Sequence, residues 1–475
     1  MKVNKLCQRL GLSKVKYNHS IFKITDDSKD CIDNTVFFAI EGSRVDGHDR
    51  IDEAIAGGAK TIVLVRKVSP KPGINYIYCE SPKRLLALAL NAYNGKRLKN
   101  IKFIGVIGTN GKTTTTTLIY HYLEYIHQRA MLIGSNGCYA KGFYQGHNNT
   151  TPRAVELYQY FSYAEKNHIR YIVMEVSSIA VSELRIMGIR YHALIFTNFS
   201  EDHLDYHKTM ERYFMAKAIP FIRLRKQDYA ILNADDSSFQ PLLGCTQARV
   251  LTYGIKNGST ALANAVKVHA SGLEFDVGTR HITSNLIGGF NVYNILPLFC
   301  ICRAFGLNSE LLPKFLKEFK QVSGRMNLVD IPLKHIIIDY AHTEQAIKNA
   351  ILETEKITSG RVYVVVGCGG NREREKRSKI GRLLTELNCI PIITSDNPRF
   401  ENPKDIIADI LSGTEKEVTV IEDRRAAILY ALEQLTETDY LLILGKGCED
   451  YMDIAGHKVK YSDLQVVEEW KRDNP

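Results

Sequence analysis

The stretch from Gly105 to Thr117, GVIGTNGKTTTTT, constrains this chain more than any other. An apolar run (Ile101, Phe103, Ile104, Val106, Ile107) leads into glycines, then Lys112, then threonines, then a helix-like stretch from Leu118. That order reads as strand, phosphate loop, helix. Backbone N–H groups in such a loop converge on an anion. The lysine reaches the outer phosphates, and the hydroxyl that follows suits Mg²⁺. The usual template sets four residues between its first glycine and the Gly-Lys pair. Counted back from Gly111, that glycine would fall at Val106, so the loop is instead built on Gly105, Gly108 and Gly111, spaced by three. A generic glycine turn accounts for the glycines but not for Lys-Thr at the mouth of a helix. The stretch therefore predicts nucleotide phosphate binding.

With 475 residues, the length points to about three domains. No uncharged apolar run nears the roughly 20 residues needed to span a bilayer, and the start, MKVNKLCQRL, lacks the apolar core of a signal peptide. A cytoplasmic protein with no membrane partner is expected. The ten cysteines are scattered without a CxxC pair, which favours reduced thiols over a disulfide or zinc framework. The formal net charge of +10 suits nucleic acid or an anionic small substrate with ATP. The basic residues are dispersed, which favours the second, so no nucleic-acid partner is expected.

The hydrophobic pattern predicts an α/β chain in three segments, 1–98, 99–323 and 324–475. The first carries strand-like runs at 36–40 and 61–65, helical spacing at Ile51, Ala54 and Ile55, polar turns at 25–30 and 41–49, and a helix-like stretch at 84–95. In the second, strands at 101–107, 171–175 and 194–198 alternate with helices, which predicts a mostly parallel sheet. A more β-like stretch runs from Tyr229 to Ile287. The third repeats the rhythm with strands at 336–338, 362–366, 390–393 and 441–444. Ligands of such sheets sit beyond the carboxyl ends of the strands, and polar residues gather there.

Glu175 ends one strand; it is either a cap or a carboxylate placed for the Mg²⁺ of ATP. Asp202, His203, Asp205 and His207 cluster past another strand and read as a metal or phosphate site. Lys217, by itself, reads as a surface lysine. In the third segment, GCGGNRER (367–374), DNPRF (396–400) and GKGCED (445–450) all follow strand ends. Arg399 offers a planar fork for a carboxylate, while Asp396 and Glu449 suit an ammonium group. The alternative is turn residues with surface charges.

GTNGKTTT, NTTP, EVSS, DHLDYH, the lysine of AK, GRM, DYAHT, GCGGNR, DNPR and GKGxE occur in this order. The chain thus resembles the Mur ligase family, and within it the branch that makes the UDP-N-acetylmuramoyl-tripeptide. The resemblance runs from DDSK (26–29) to GKGCEDY (445–451). It implies three domains: a small N-terminal α/β domain for the UDP substrate, a central ATPase of P-loop type with a mostly parallel sheet, and a C-terminal Rossmann-like domain for the amino acid. It implies ATP-dependent, ADP-forming ligation of meso-diaminopimelate to UDP-MurNAc-L-Ala-D-Glu through an acyl phosphate, in peptidoglycan precursor synthesis, by a monomer.

Residue by residue, the resemblance assigns Gly108, Thr109, Asn110, Gly111, Lys112, Thr113 and Thr114 to the ATP phosphates. Asn291, Arg325, Asp339 and His342 match further ATP contacts, brought in on domain closure. Mg²⁺ falls to Thr113, Glu175, His203 and Lys217, the last matching a lysine that is carbamylated in the family. Lys112, Glu175, His203 and Lys217 are the implied catalytic set. Asp26, Ser28, Asn149, Thr150, Thr151, Ser178, Glu183 and Arg185 match the UDP-substrate region. Arg372, Asp396, Asn397, Pro398, Arg399, Gly445 and Glu449 match the amino-acid pocket. In the family, DNPR accompanies diaminopimelate.

The sequence departs from the family pattern at Ile179 (usually His), Glu183 (usually Gln), Asn327 (usually Glu) and Cys448 (usually His). The added charge of Glu183 stands where an anionic substrate is expected. The alternatives are a related ligase using L-lysine, another amino acid or another acyl substrate, and an ATP-binding regulatory protein that does not ligate.

Overall fold

A computed structural model describes residues 1–42, 45–95, 97–257 and 260–474. Ser43 and Arg44, in the polar turn at 41–49, lie outside the described residues. Three main sheets follow one another along the chain. The first has four parallel strands in sequence order: Lys23–Thr25, Thr35–Phe38, Ala59–Leu64 and Asn75–Tyr78. The spacing of Ile51, Ala54 and Ile55 becomes the helix Ile51–Ala56. The helix Pro82–Asn94 then leads away, started by Ser81, whose hydroxyl accepts from the Arg84 N–H, and by Pro82 at its first position.

The second sheet has eleven strands. Its parallel centre runs Arg249–Gly254, Tyr229–Asn233, Ala193–Phe196, Lys102–Ile107, Tyr171–Glu175, Ala130–Gly134. Antiparallel strands extend one edge; at the other, Ala261–His269 joins in parallel and opens an antiparallel meander over 261–284. Alternate residues of the central strands bury on opposite faces. Ile104, Val106, Val173 and Ile195 pack under the helix Lys112–Tyr125 through Leu118, Ile119 and Tyr122. Phe103, Ile107, Ile172 and Phe196 pack under the helix Ala154–Lys166. Helices on both faces explain why these strands read as continuous apolar runs.

The helix after the phosphate loop begins at Lys112, six residues before Leu118, where helical periodicity starts in the sequence. Its first turns are threonines, whose β-branching disfavours helix. Burial overrides that preference: Thr113, Thr114, Thr115 and Thr116 are all covered, and Thr116 Oγ1 donates to the carbonyls of Lys112 and Thr113 at 3.0 Å each.

The third sheet has the order Asn327–Ile331, Lys334–Asp339, Tyr440–Leu444, Val362–Val366, Ile390–Ile393, Thr419–Val420. It is parallel except for the first strand. A hairpin absent from the sequence expectation, Tyr451–Ile454 with His457–Lys460, follows the last long strand. Among the described residues no helix is long and apolar enough to cross a membrane.

Candidate active site

The strand Lys102–Ile107 lies between the strands ending at Phe196 and Glu175, so three strand ends open together. Gly108 emerges with its Cα so close to Thr197 that a Cβ would stand 1.8 Å from Thr197 Oγ1. Gly111 sits at φ +82, a left-handed position that glycine occupies without strain. The loop between them is held by neutral bonds. The Thr109 N–H donates to the Asn198 carbonyl at 2.9 Å, the Asn110 N–H to Asn198 Oδ1 at 2.9 Å, and Thr197 Oγ1 to the Asn110 carbonyl at 2.6 Å. Lys112 Nζ donates to the carbonyls of Gly108 and Thr109 at 2.9 and 2.8 Å. Burial lowers the Lys112 pKa, with Glu175 and Asp202 opposing.

Glu175 is 1% exposed. Its carboxylate accepts from Thr113 Oγ1 at 3.1 Å, the Ser135 N–H at 2.8 Å and Ser135 Oγ at 3.3 Å. Among the described residues it has no cationic partner within salt-bridge distance. A buried carboxylate without a counter-charge is costly, and a divalent cation would supply one. Thr113 and Glu175 offer the hard oxygen donors Mg²⁺ prefers, and Mg²⁺ usually takes few protein ligands. The residues therefore fit the ion.

Beyond the next strand end, Asp202 and His203 form a pair, with His203 Nε2 3.5 Å from Asp202 Oδ2. Burial opposes ionisation of Asp202, but His203, His342, Lys376 and Lys112 hold its pKa down at about 2. Of the four residues expected as a metal or phosphate site, Asp202, His203 and Asp205 line the same cavity, while among the described residues no group of three or more His, Cys, Asp or Glu is placed to hold an ion. His207 turns inward instead, its Nε2 2.9 Å from Ser178 Oγ. The surface reading of Lys217 is also corrected. Lys217 is 2% exposed, and Nζ lies 4.4 Å over the Tyr213 ring. Burial, and then the charge of Lys112, push its pKa well below the usual lysine value.

The third sheet closes the cleft. Arg325 Nη2 donates to Thr113 Oγ1 at 2.9 Å, and its guanidinium lies 4.7 Å over Tyr340. Lys379 pairs with Glu201 at 2.9 Å, and Lys458 Nζ donates to Asn148 Oδ1 at 3.1 Å. The result is one cavity of about 450 Å³ shared by the phosphate loop and the strand ends of the third sheet. Arg372, Asp396, Asn397, Arg399, Gly445 and Glu449 all line it. Arg399 Nη1 donates to the Gly370 carbonyl at 2.7 Å, and Nε lies 3.8 Å from Asp453 Oδ2. A Cβ at Gly369 would meet Arg399 Nη1 at 2.7 Å, so the glycines make room for the guanidinium. Lys446 Nζ, fully buried, donates to Asn397 Oδ1 at 3.0 Å and Glu449 Oε2 at 2.9 Å.

Of the expected residues, the seven from Gly108 to Thr114 line this cavity with Glu175, His203, Lys217, Arg325 and His342. Asn149, Thr150, Ser178 and Arg185 line it too. Seven others stand outside the lining. Asn291 accepts from Asn294 Nδ2 at 2.7 Å, and Asn294 in turn abuts Gly111. Asp339 accepts the N–H groups of Met326 and Ala341 at 2.6 and 2.7 Å. Thr151 Oγ1 donates to the Glu175 carbonyl at 2.9 Å, and the Pro398 carbonyl rests against Gly370. Asp26 lies 3.8 Å from Arg153, and Ser28 Oγ donates to Glu53 at 2.7 Å. Glu183 is engaged by Lys83 Nζ and by Tyr206 OH, the latter at 2.7 Å. Lys83 therefore already neutralises the added charge. Cys448 also stands outside the lining, its Sγ 3.1 Å from Asn136 Oδ1.

Sequence reasoning missed Ser135, Tyr213, Tyr340 and Lys376. Tyr213 carried a signal: it stands four residues before Lys217, on the same helical face.

The family model described as the Mur ligase middle domain matches residues 106–302, and that described as the Mur ligase, glutamate ligase domain matches 324–447. A curated relative in Aquifex aeolicus (strain VF5), named UDP-N-acetylmuramoyl-L-alanyl-D-glutamate--2,6-diaminopimelate ligase, is 39% identical over 460 residues, 94% of this chain and 92% of the relative. This chain belongs to the Mur ligase family. A relative of the same name in Geobacillus kaustophilus (strain HTA426) is 36% identical over 464 residues, covering 95% of this chain and 94% of its own. A solved structure with that name in its description superimposes with a TM-score of 0.72 at 26% identity, covering 100% of this chain and 99% of the other. Family membership thus agrees with a fold in which the phosphate loop and the DNPR loop face one cleft.

Proposed function

We infer that this Mur ligase is an ATP-dependent, ADP-forming carbon–nitrogen ligase. It adds meso-diaminopimelate to UDP-N-acetylmuramoyl-L-alanyl-D-glutamate through an acyl phosphate, in peptidoglycan precursor synthesis. The observation that carries this reading is the single cavity holding both Lys112 of the phosphate loop and the Arg399, Asn397 and Glu449 cluster. The full-length likeness to ligases of that name supports it.

A carboxylate is a poor electrophile, and phosphorylation gives it a leaving group. Residues 108–114 hold the ATP phosphates, with Lys112 and Arg325 placed against the charge that develops on transfer. Thr113 and Glu175 would hold Mg²⁺, which when bound neutralises phosphate charge. His203 and Lys217 would serve a second metal position, Lys217 as its carbamate. The depressed basicity of Lys217 supports this, since a neutral amine is the form that takes up carbon dioxide. Asn149, Thr150, Ser178 and Arg185 orient the acyl substrate. Asp26 and Ser28, just past the first strand of the first sheet, would meet its UDP end. Asp396, Asn397 and Glu449 receive the ammonium end of the amino acid, and Arg399 with Arg372 its distal carboxylate. We divide the chain at 1–98, 99–323 and 324–475, a UDP-substrate, an ATP and an amino-acid domain. We also infer that the enzyme acts as a cytoplasmic monomer.

Phosphate release from ATP, measured with the UDP-dipeptide across a panel of amino acids and with the product weighed, tests the reading. Turnover with meso-diaminopimelate and not with L-lysine is expected. No turnover with any amino acid would move the search to a different acyl substrate, beginning at Ile179.

A further inference from the structure

The fully buried ion pair of Arg424 and Asp463 lies outside the cavity lining. Arg424 opens the helix Arg424–Gln434, and Asp463 opens the chain's last helix, Asp463–Asp473. A carboxylate at a helix N-terminus is favoured by the helix dipole, whereas a cation there is not. Arg424 is nevertheless held there by four bonds. Nε and Nη2 donate to the two oxygens of Asp463 at 2.8 and 2.7 Å, Nη2 donates to the Leu444 carbonyl at 2.9 Å, and Nη1 to the Ser395 carbonyl at 3.4 Å.

Those two carbonyls matter because of their places in the sheet. Leu444 ends the strand Tyr440–Leu444, and the next residue is Gly445. Ser395 follows the strand Ile390–Ile393 and immediately precedes Asp396. The two strands are not neighbours; Val362–Val366 lies between them. No ladder bond joins the two strands directly; a third strand sets their axes two strand spacings apart, roughly 9–10 Å, and the two carbonyls beyond their ends converge. One guanidinium reaches both. The loops that leave these ends then meet over it. A Cβ at Gly445 would stand 2.6 Å from Asp396 Oδ2, and Asn397 Nδ2 donates to Glu449 Oε2 at 2.9 Å.

We propose that Arg424 is a positioning residue for the amino-acid site, setting the spacing of the Asp396 and Glu449 loops, and that the last helix belongs to that site through Asp463. The proposal rests on the reading that these loops receive the amino acid. Arg424 touches no substrate and acts only through the two carbonyls. A lysine in its place has three donors on one nitrogen and cannot make all four of these bonds.

The test is R424K beside the wild type, with D463N as a second variant that keeps the guanidinium. Trp470 is the chain's sole tryptophan, half-buried on the last helix, with Lys334 Nζ 5.2 Å from its ring. Its emission reports whether that helix stays seated. With emission as in the wild type, we expect R424K to raise the KM for diaminopimelate about tenfold. The KM values for ATP and for the UDP-dipeptide should stay within about twofold. D463N should show the same split to a smaller extent, and carries the test alone should R424K unseat Trp470. Unchanged KM values in a folded variant, or an equal rise in all three, would overturn the proposal. A wild type that does not turn over diaminopimelate would sink the underlying reading instead. The comparison would then be run with whichever amino acid supports turnover.

Discussion

The two walls of the cleft are held in shape by different means. On the ATP side, Thr109, Asn110, Thr197 and Asn198 fix the loop through neutral hydrogen bonds. On the amino-acid side, charges fix charges. Arg377, 1% exposed, pairs with Glu401 and Asp409 at 2.8 Å each, Lys446 with Glu449, and Arg424 with Asp463. Among the described residues, neutral scaffolding leaves Lys112 and Lys217 without carboxylate partners, available for anions. Ionic scaffolding ties the second pocket to its own counter-charges.

The largest effect should come from the buried amine that the neutral wall leaves without a carboxylate. Lys217→Ala is expected to cut ligation by about 10²–10³-fold, with partial recovery on adding short carboxylic acids. Indifference of the activity would break the comparison. Stability should move the other way. The folded pKa of Lys217 lies below its unfolded value, so in the window between them the unfolded chain binds the extra proton and stability rises with pH. Lys217→Met removes that penalty, and at neutral pH its Tm should rise.

Next in size is Arg399→Ala. It should raise the KM for diaminopimelate about 10–100-fold while the KM for ATP stays within about twofold. Equal changes in both would mean that the two walls are not separable.

A smaller effect is expected from Glu401→Gln. Its bond with Arg377 holds the Glu401 pKa down at about 2. The stabilisation is therefore complete above the unfolded value, near 4.5, and is lost as pH falls through about 2. The variant should be about 1–2 kcal/mol less stable at pH 7, allowing for screening. Urea melts at pH 7 and near pH 3 should show the gap closing in acid.

The smallest change should be Glu183→Gln. Lys83 already balances that charge, so the KM for the UDP-dipeptide should move by less than about twofold. Lys83→Met, which bares the carboxylate, should raise it about three- to fivefold. The reverse ranking would make Glu183 a substrate contact.

The phosphate loop was legible because its signal is local: strand, glycines, lysine and helix adjoin in sequence. Glu175 was legible as a strand-end acid, although its pairing with Thr113 needed the sheet order. The residues of the ionic wall were harder. Arg424 and Asp463 are 39 residues apart, and nothing in either segment marks a partner. Lys217 read as a surface residue because the pattern around it does not show that Tyr213 and the strand ends close over its amine. The counter-charge of Glu183 was hidden for the same reason, since Lys83 comes from another helix. The helix start at Lys112 was obscured because burial, not propensity, makes the threonines helical.

Thr113 carries a consequence of its own. Its hydroxyl donates to Glu175 while receiving Arg325. One oxygen thus registers two events that arise on different parts of the chain. Neither contact alone satisfies it, and the second arrives only with the third sheet in place. In the language of circuits, Thr113 is a junction, where a carboxylate from the second sheet and a guanidinium from the approach to the third meet on one oxygen.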